Sequence, residues 1–299
     1  MPILTIRHIT TYHYRHPVAF GEHRMMLHPR DDHDQTVLDS ALDITPSPSE
    51  ISWTRDRFGN HVATARFDER ARELRFESRI RLDHVPAAFR AADIKDFARL
   101  YPFAYAAQER PRLARFMASR PAHAKVDRWA RSFLRADGAA GTHALLVGMT
   151  RTIRRTFKHR ARHEKGVQVP ARTLTLAGGS CRDLAVLMVA GLRSLGFAAR
   201  FVSGYLHLAN DDDDRLTGGN THAWVQVYVP GPGWVDFDPS SGRVGNQNLV
   251  RVAVVHAPRE AIPLHGTWIG KASDHLAMKV AVKVATRDAP MELLSARQA

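Results

Sequence analysis

Apolar and polar residues alternate over most of the first 84 positions. The stretch ILTIRHITTYHYRH, with Ile3, Thr5, His8, Thr10 and Tyr12 among its β-formers, predicts a strand. A turn, a strand and a Pro/Ser turn follow in HPRDDHDQTVLDSALDITPSPSE. Phe58-Gly59-Asn60 reads as a hairpin turn with a strand after it, and the alternation resumes from Leu74 to Val85. Turn signals at such short intervals predict a β-sandwich-like N-terminal domain over residues 1–85.

The period then changes. Val126, Trp129, Ala130, Phe133 and Leu134 follow helical spacing, as do Leu145, Leu146, Met149, Ile153 and Phe157, so residues 86–160 read as a helical segment. From 161 to 299 the pattern predicts one strongly apolar helix, strands near 198–206, 222–229 and 234–238, and strand-like runs LVRVAVVH and AMKVAVKVAT. The fold class is therefore α+β, with a buried helix packed on an antiparallel sheet.

That helix carries the sole cysteine of the 299 residues. Ser180 and Asp183 have the spacing of a capping pair, and Gly196 is a C-terminal stop. Leu184 to Leu192 is apolar on every face, which marks a buried helix. Cys181 thus falls in the first turn, where unpaired backbone N–H groups favour a thiolate. Gly178 and Gly179 would let a substrate backbone approach, and Gly179, Ser180 and the Cys181 amide are candidates for substrate or oxyanion contacts. The competing reading of a lone cysteine among apolar residues is a small buried hydrophobe.

A nucleophilic thiol needs a base. In THAWVQVYV, His222, Trp224, Gln226 and Tyr228 share one strand face, polar and aromatic like the wall of a site, which makes Trp224 a further substrate-contact candidate. Ala223, Val225, Val227 and Val229 form the core face. Trp234, Asp236 and Asp238 share a face of the next strand. Pairing the two as a hairpin with matched core faces leaves two registers. Tyr228 opposite Trp234 makes Asp238 the diagonal neighbour of His222; Tyr228 opposite Pro232 puts Asp238 directly across from it. Asp238 is the better orienting carboxylate in both.

Composition narrows the classes. There is no run of apolar residues long enough to span a membrane, and the N-terminus reads as a strand rather than a signal peptide. One cysteine forms no internal disulfide and suits a cytoplasmic location. Lys and Arg number 43 against 30 Asp and Glu. This surplus suits an anionic partner, and equally a solvated basic surface. Seven Lys/Arg between Arg151 and Lys165 could contact phosphates, but only Phe157 is interleaved, so the solvated end of a helix is the simpler reading and nucleic acid is not expected. NDDDDR near 211–214 lacks the spacing of a calcium loop and reads as an exposed loop. Neither a zinc pattern nor a phosphate loop is present, so no metal and no cofactor are expected.

The blocks GSCRDLAVLMVAGLRSLGFAARFVSGYL, THAWVQVYV and GWVDFDPSSG, in this order, together with the upstream GVQVPARTLTLAGGSCRD, resemble the cysteine, histidine and aspartate segments of the transglutaminase-like superfamily, relatives of papain-like cysteine enzymes. Residues 5–85, with IRHITTYHY, HPRDD and DRFGN, resemble the β-rich N-terminal domain of its bacterial branch. The resemblance implies a papain/transglutaminase-like catalytic core over 161–299. It also implies Cys181 as nucleophile, His222 as base, Asp238 as orienter, and a peptide or protein amide substrate, which the basic run ahead of Cys181 could steer to the site if acidic. The expected chemistry is acyl transfer or hydrolysis at amide bonds through a thioester. The alternative is a non-catalytic basic binding protein on the same fold. This chain departs from the bacterial pattern in carrying Gln226 where relatives often have Glu, DPS where they have DPT, and VAVVHAPREAIPLHG where GRDY is common.

Overall fold

The computed structural model describes residues 3–117, 124–162, 164, 166–207 and 220–286. The acidic run at 211–214 and Lys165 lie outside the described residues. The chain opens with five strands: β1 (Ile3–Met25), β2 (Gln35–Thr45), β3 (Glu50–Arg55), β4 (His61–Arg66) and β5 (Arg70–His84). Next come β6 (Leu100–Tyr101), α1 (Arg110–Met117), α2 (Ala124–Arg131), β7 (Ala140–Gly141), α3 (Thr142–Thr156), β8 (Lys158–His159), α4 (Pro170–Leu176), β9 (Gly178–Gly179) and α5 (Cys181–Ser194). The last strands are β10 (Ala199–Leu206), β11 (Asn220–Val229), β12 (Gly233–Asp238), β13 (Arg243–Val244), β14 (Leu249–Val255), β15 (Leu264–Ile269) and β16 (His275–Ala285).

The first sheet is antiparallel and built around β1, which is long enough to serve two halves. Its first half pairs with β5 and β16, its second with β4 and β15. Leu74 and Phe76 of β5 nonetheless share one apolar cluster with Ala63 and Ala65 of β4, so the sheet folds over its own core. The expected turn at 58–60 joins β3 to β4, with the Asp56 carboxylate accepting from the Phe58 and Asn60 amides. The grouping of the C-terminal strands with the core over 161–299 needs correction. β15 and β16 return to pair with β1, a long-range pairing that local periodicity does not encode.

The second sheet runs β13-β12-β11-β10-β14. Leu184, Leu187, Met188 and Leu192 of α5 pack on Ala223, Val225 and Val227 of β11, as binary patterning requires. The opposite face of this sheet is also covered: Tyr205, Val250 and Val252 meet Leu4, Ile6, Ile80 and Leu82 of the first sheet. The core sheet is therefore the middle layer of three.

Side chains of the first domain also cap the open edge of β14. The Asn60 amide donates to the Val254 carbonyl (2.9 Å) and accepts from the Val254 N–H (2.9 Å). Gln35 treats Arg251 in the same way, at 2.8 and 3.0 Å. Two carboxamides thus take the place of a sixth strand and leave the edge no free backbone groups at these positions.

Candidate active site

The N-terminus of α5 is pinned from several sides. The Ser180 hydroxyl oxygen accepts from the Asp183 N–H, and Asp183 accepts from Ser180 N (2.9 Å), completing the capping box read from the sequence. Asp183 is fully buried and also accepts from Gln168 N at 2.7 Å and Arg162 Nη1 at 3.1 Å. Burial alone would push this carboxyl up, but the hydrogen bonds from Gln168 and Ser180 hold it below the usual carboxylate range. At the other end Gly196, with φ +85°, closes the helix. Cys181 is consequently held at a fixed point, half-buried, in the first turn.

β11 and β12 pair with Tyr228 opposite Trp234 and Gln226 opposite Asp236, the wider of the two expected registers. The His222 ring meets Asp238 with Nε2 3.0 Å from Oδ2. Its side chain also hydrogen-bonds the Cys181 sulfur, which receives a further bond from the Ala223 N–H. The structure thus brings Cys181, His222 and Asp238 together, with the imidazole paired to the carboxylate and bearing on the sulfur. Asp238 is held in turn by Ser240 Oγ (2.7 Å) and Ser241 Oγ (2.6 Å). The serine of the DPS departure thus supplies a hydroxyl donor to this carboxylate.

Electrostatics follow from the contacts. Burial pushes the Cys181 thiol up, but the bonds from His159 and His222 and the charge on His222 outweigh it and bring it down to about 6. Burial would lower His222, yet Asp238 and the sulfur raise it to about 10. Asp238, which burial alone would raise, is drawn down to about 2 by His222 and the two serines. The site therefore favours a thiolate beside an imidazolium and a carboxylate.

The other candidates are placed differently. Trp224 is completely buried, and its Nε1 donates to Asp236 Oδ1 at 2.6 Å. At Trp224 and Gln226 the strand face expected to line a site is fully covered, so Trp224 does not meet a substrate. Its ring stacks on His222, with planes 22° apart and centroids 6.1 Å apart. Ser180 spends its hydroxyl on the cap. A Cβ on Gly178 would stand 2.6 Å from the Lys158 carbonyl, and one on Gly179 2.6 Å from Gln168 Nε2. The glycines admit the protein's own β8 and loop, where the sequence suggested room for a substrate.

His159 is the residue that sequence reasoning missed. It lies in the basic run, where only Lys and Arg were counted, and its side chain hydrogen-bonds Cys181. The run itself is not one helix end. Arg151, Arg154 and Arg155 belong to α3, Arg160 lines a groove, and Arg162 pairs with Asp183. The PREA segment that replaces the common GRDY contacts the site's rim: Arg182 Nη2 donates to the Pro258 carbonyl at 2.9 Å. Gln226, where relatives often carry Glu, accepts from buried Arg200 Nε at 2.8 Å. Asp32, His33 and Asp34 cluster closely enough to hold a metal, but Asp34 is already engaged by Arg251. Among the described residues no helix is long and apolar enough to cross a membrane.

Residues 4–83 match the bacterial transglutaminase-like N-terminal region, and residues 137–239 match the transglutaminase-like superfamily. An uncharacterized protein of Mycobacterium leprae is 27% identical over 300 residues, covering 93% of this chain and 98% of that one. An uncharacterized protein of Mycobacterium tuberculosis is 27% identical over 286 residues, covering 87% and 86%. A solved structure from Cytophaga hutchinsonii, described as a candidate cysteine protease, shares the fold with a TM-score of 0.72 at 18% identity, over 96% of this chain and 92% of that one. With a core and an N-terminal region that both match, in the order the bacterial branch has them, the chain belongs to the transglutaminase-like superfamily.

Proposed function

We propose that the chain is a thiol-dependent enzyme that transfers or hydrolyses acyl groups at amide bonds. The observation that carries this reading is the His222–Asp238 pair bearing on the Cys181 sulfur at the start of a buried helix. Asp238 occupies Nε2 of the ring, which leaves Nδ1 for the sulfur. The thiol proton passes to His222, and the thiolate attacks the amide carbonyl. Negative charge then develops on the carbonyl oxygen. The Cys181 N–H, one of the first-turn amides without an intrahelical partner, is available to receive it. His222 gives its proton to the leaving amine, and a thioester remains. Water completes hydrolysis; an amine completes transfer, with His222 as base in both cases.

The pH dependence follows from the same groups. Activity rises as pH increases through about 6, where the thiol ionises, and falls through about 10, where His222 loses its proton. A kcat/KM profile over this range checks the prediction.

A groove beside the start of α5 suits an acidic substrate segment. It encloses about 850 Å³, reaches Gly178 and Gly179 but not Cys181 itself, and is lined by Arg160 and Arg172, with Glu164 as its acidic member. Exposed Val169 and Leu176 give it an apolar surface. Neither arginine has a carboxylate partner among the described residues. Reversing both charges to glutamate is expected to raise KM for acidic peptides roughly fivefold to tenfold at low salt, with KM for neutral peptides unchanged.

The test of the reaction is a glutamine-containing peptide library incubated with wild type and Cys181→Ala, with and without an amine. Cys181-dependent mass changes support the reading and separate hydrolysis, deamidation and transfer. Their absence under every condition favours a binding role.

A further inference from the structure

We propose that His159 is a further catalytic side chain: a second imidazole that, in its protonated form, holds the Cys181 sulfur as thiolate from the exposed side of the site. The inference rests on Cys181 being the nucleophile and adds a residue to the three already placed.

The backbone puts His159 where it is by design of the local sequence. β8 and β9 pair in parallel, with His159 opposite Gly179, two positions before the thiol. Lys158 N donates to the Ala177 carbonyl and Arg160 N to the Gly179 carbonyl, both at 2.9 Å, so the backbone is held on either side of His159. The lack of a side chain at Gly178 lets the Lys158 carbonyl come this close. That position sets the imidazole beside the first turn of α5, where it bears on the sulfur and helps hold the thiol down.

Charge balance gives this contact a purpose. With Cys181 as thiolate, His222 as imidazolium and Asp238 ionised, the triad carries one net negative charge. A protonated His159 brings it to zero. The charged and titratable groups that bear on His159 are Cys181 of α5, His222 of β11 and Asp238 of β12. Arg182, next along α5, senses the sulfur's charge but donates to the carbonyls of Pro258 and Ala261. His159 is therefore the second group positioned to place a cation on the sulfur.

The two imidazoles differ in access. His222 is 8% exposed and enclosed by Asp238, Ser240 and Trp224. His159 is exposed. The proton of the thiol goes to His222; His159 exchanges its own proton with water. When the sulfur becomes a neutral thioester, His159 loses the anion it faced and releases that proton to solvent. It takes one up again when the thiolate is restored.

The test needs no substrate, because Cys181 is the one thiol of the chain. Iodoacetamide alkylation is followed against pH for wild type, His159→Ala, His159→Gln and His222→Ala, with thermal unfolding to verify the fold. Wild type is expected to react with a midpoint near about 6. In His159→Ala the midpoint should rise by about one unit, a tenfold loss of thiolate at pH values below it. His159→Gln, which keeps an N–H donor without the charge, should shift it less. An unshifted midpoint in His159→Ala, whatever the change in turnover, overturns the proposal and leaves the triad intact. Failure to find any amide substrate would instead overturn the proposed reaction and leave this result standing.

Discussion

His222→Ala is expected to lower amide turnover by roughly 10³- to 10⁴-fold. The side chain supplies three things at once. It takes the thiol proton, stabilises the thiolate as imidazolium, and protonates the leaving amine. Its removal leaves the sulfur buried beside Asp238 with His159 as the remaining imidazole, so the thiol returns toward its ordinary range. Asp238→Asn should cost less, because an amide can still hold the ring. Its signature is in the pH profile. Without the carboxylate, His222 falls from about 10, and the alkaline limb moves down with it. Steady-state kinetics between pH 5 and 11 read both effects. A His222→Ala enzyme with near-normal kcat would remove the base from the mechanism.

The largest effect on stability is expected at Arg251. This side chain is 1% exposed and sits at the junction of the two domains. Its guanidinium pairs with Asp34 of the first domain and, through Nη1 at 3.1 Å, with Asp236 of the core. Asp236 in turn accepts from Trp224, on which the His222 ring is stacked. Arg251→Met leaves two buried carboxylates without their cation. A break of this kind costs about 3–5 kcal/mol, since the desolvated charge is no longer compensated. Asp34→Asn should cost less, because Arg251 keeps Asp236. Urea unfolding measures the difference, and a loss under about 1 kcal/mol for Arg251→Met would show that the pair is not what joins the layers.

Much of the site was legible in the sequence because its rules are local. The Ser180–Asp183 cap, the apolar run of α5 and the Gly196 stop each depend on residues within one helix. Keeping Val225, Val227, Val235 and Phe237 on one face narrows the β11–β12 pairing to two registers, of which the structure adopts the wider. What escaped was non-local. The face bearing Trp224 and Gln226 looked like a cleft wall because its polarity was visible and its cover was not. The first sheet packs against the core sheet, and Trp224 finds its partner in Asp236 of the neighbouring strand β12. Strands β15 and β16 carry ordinary alternation, and nothing within them specifies pairing with β1, more than 200 positions earlier. His159 was hidden differently. It belongs to a two-residue strand, too short for periodicity, and stands among 17 histidines. The signal that could have found it is the glycine pair at 178–179, which needs some other backbone to fill the space it leaves.

Cys181 as an acyl carrier is most directly tested by trapping the intermediate. Wild type mixed with a reactive glutamine peptide and quenched in acid within one turnover should gain the peptide mass less ammonia, attached at Cys181 and labile to hydroxylamine. Turnover that persists in Cys181→Ala, or an acyl group found on another residue, would contradict the account.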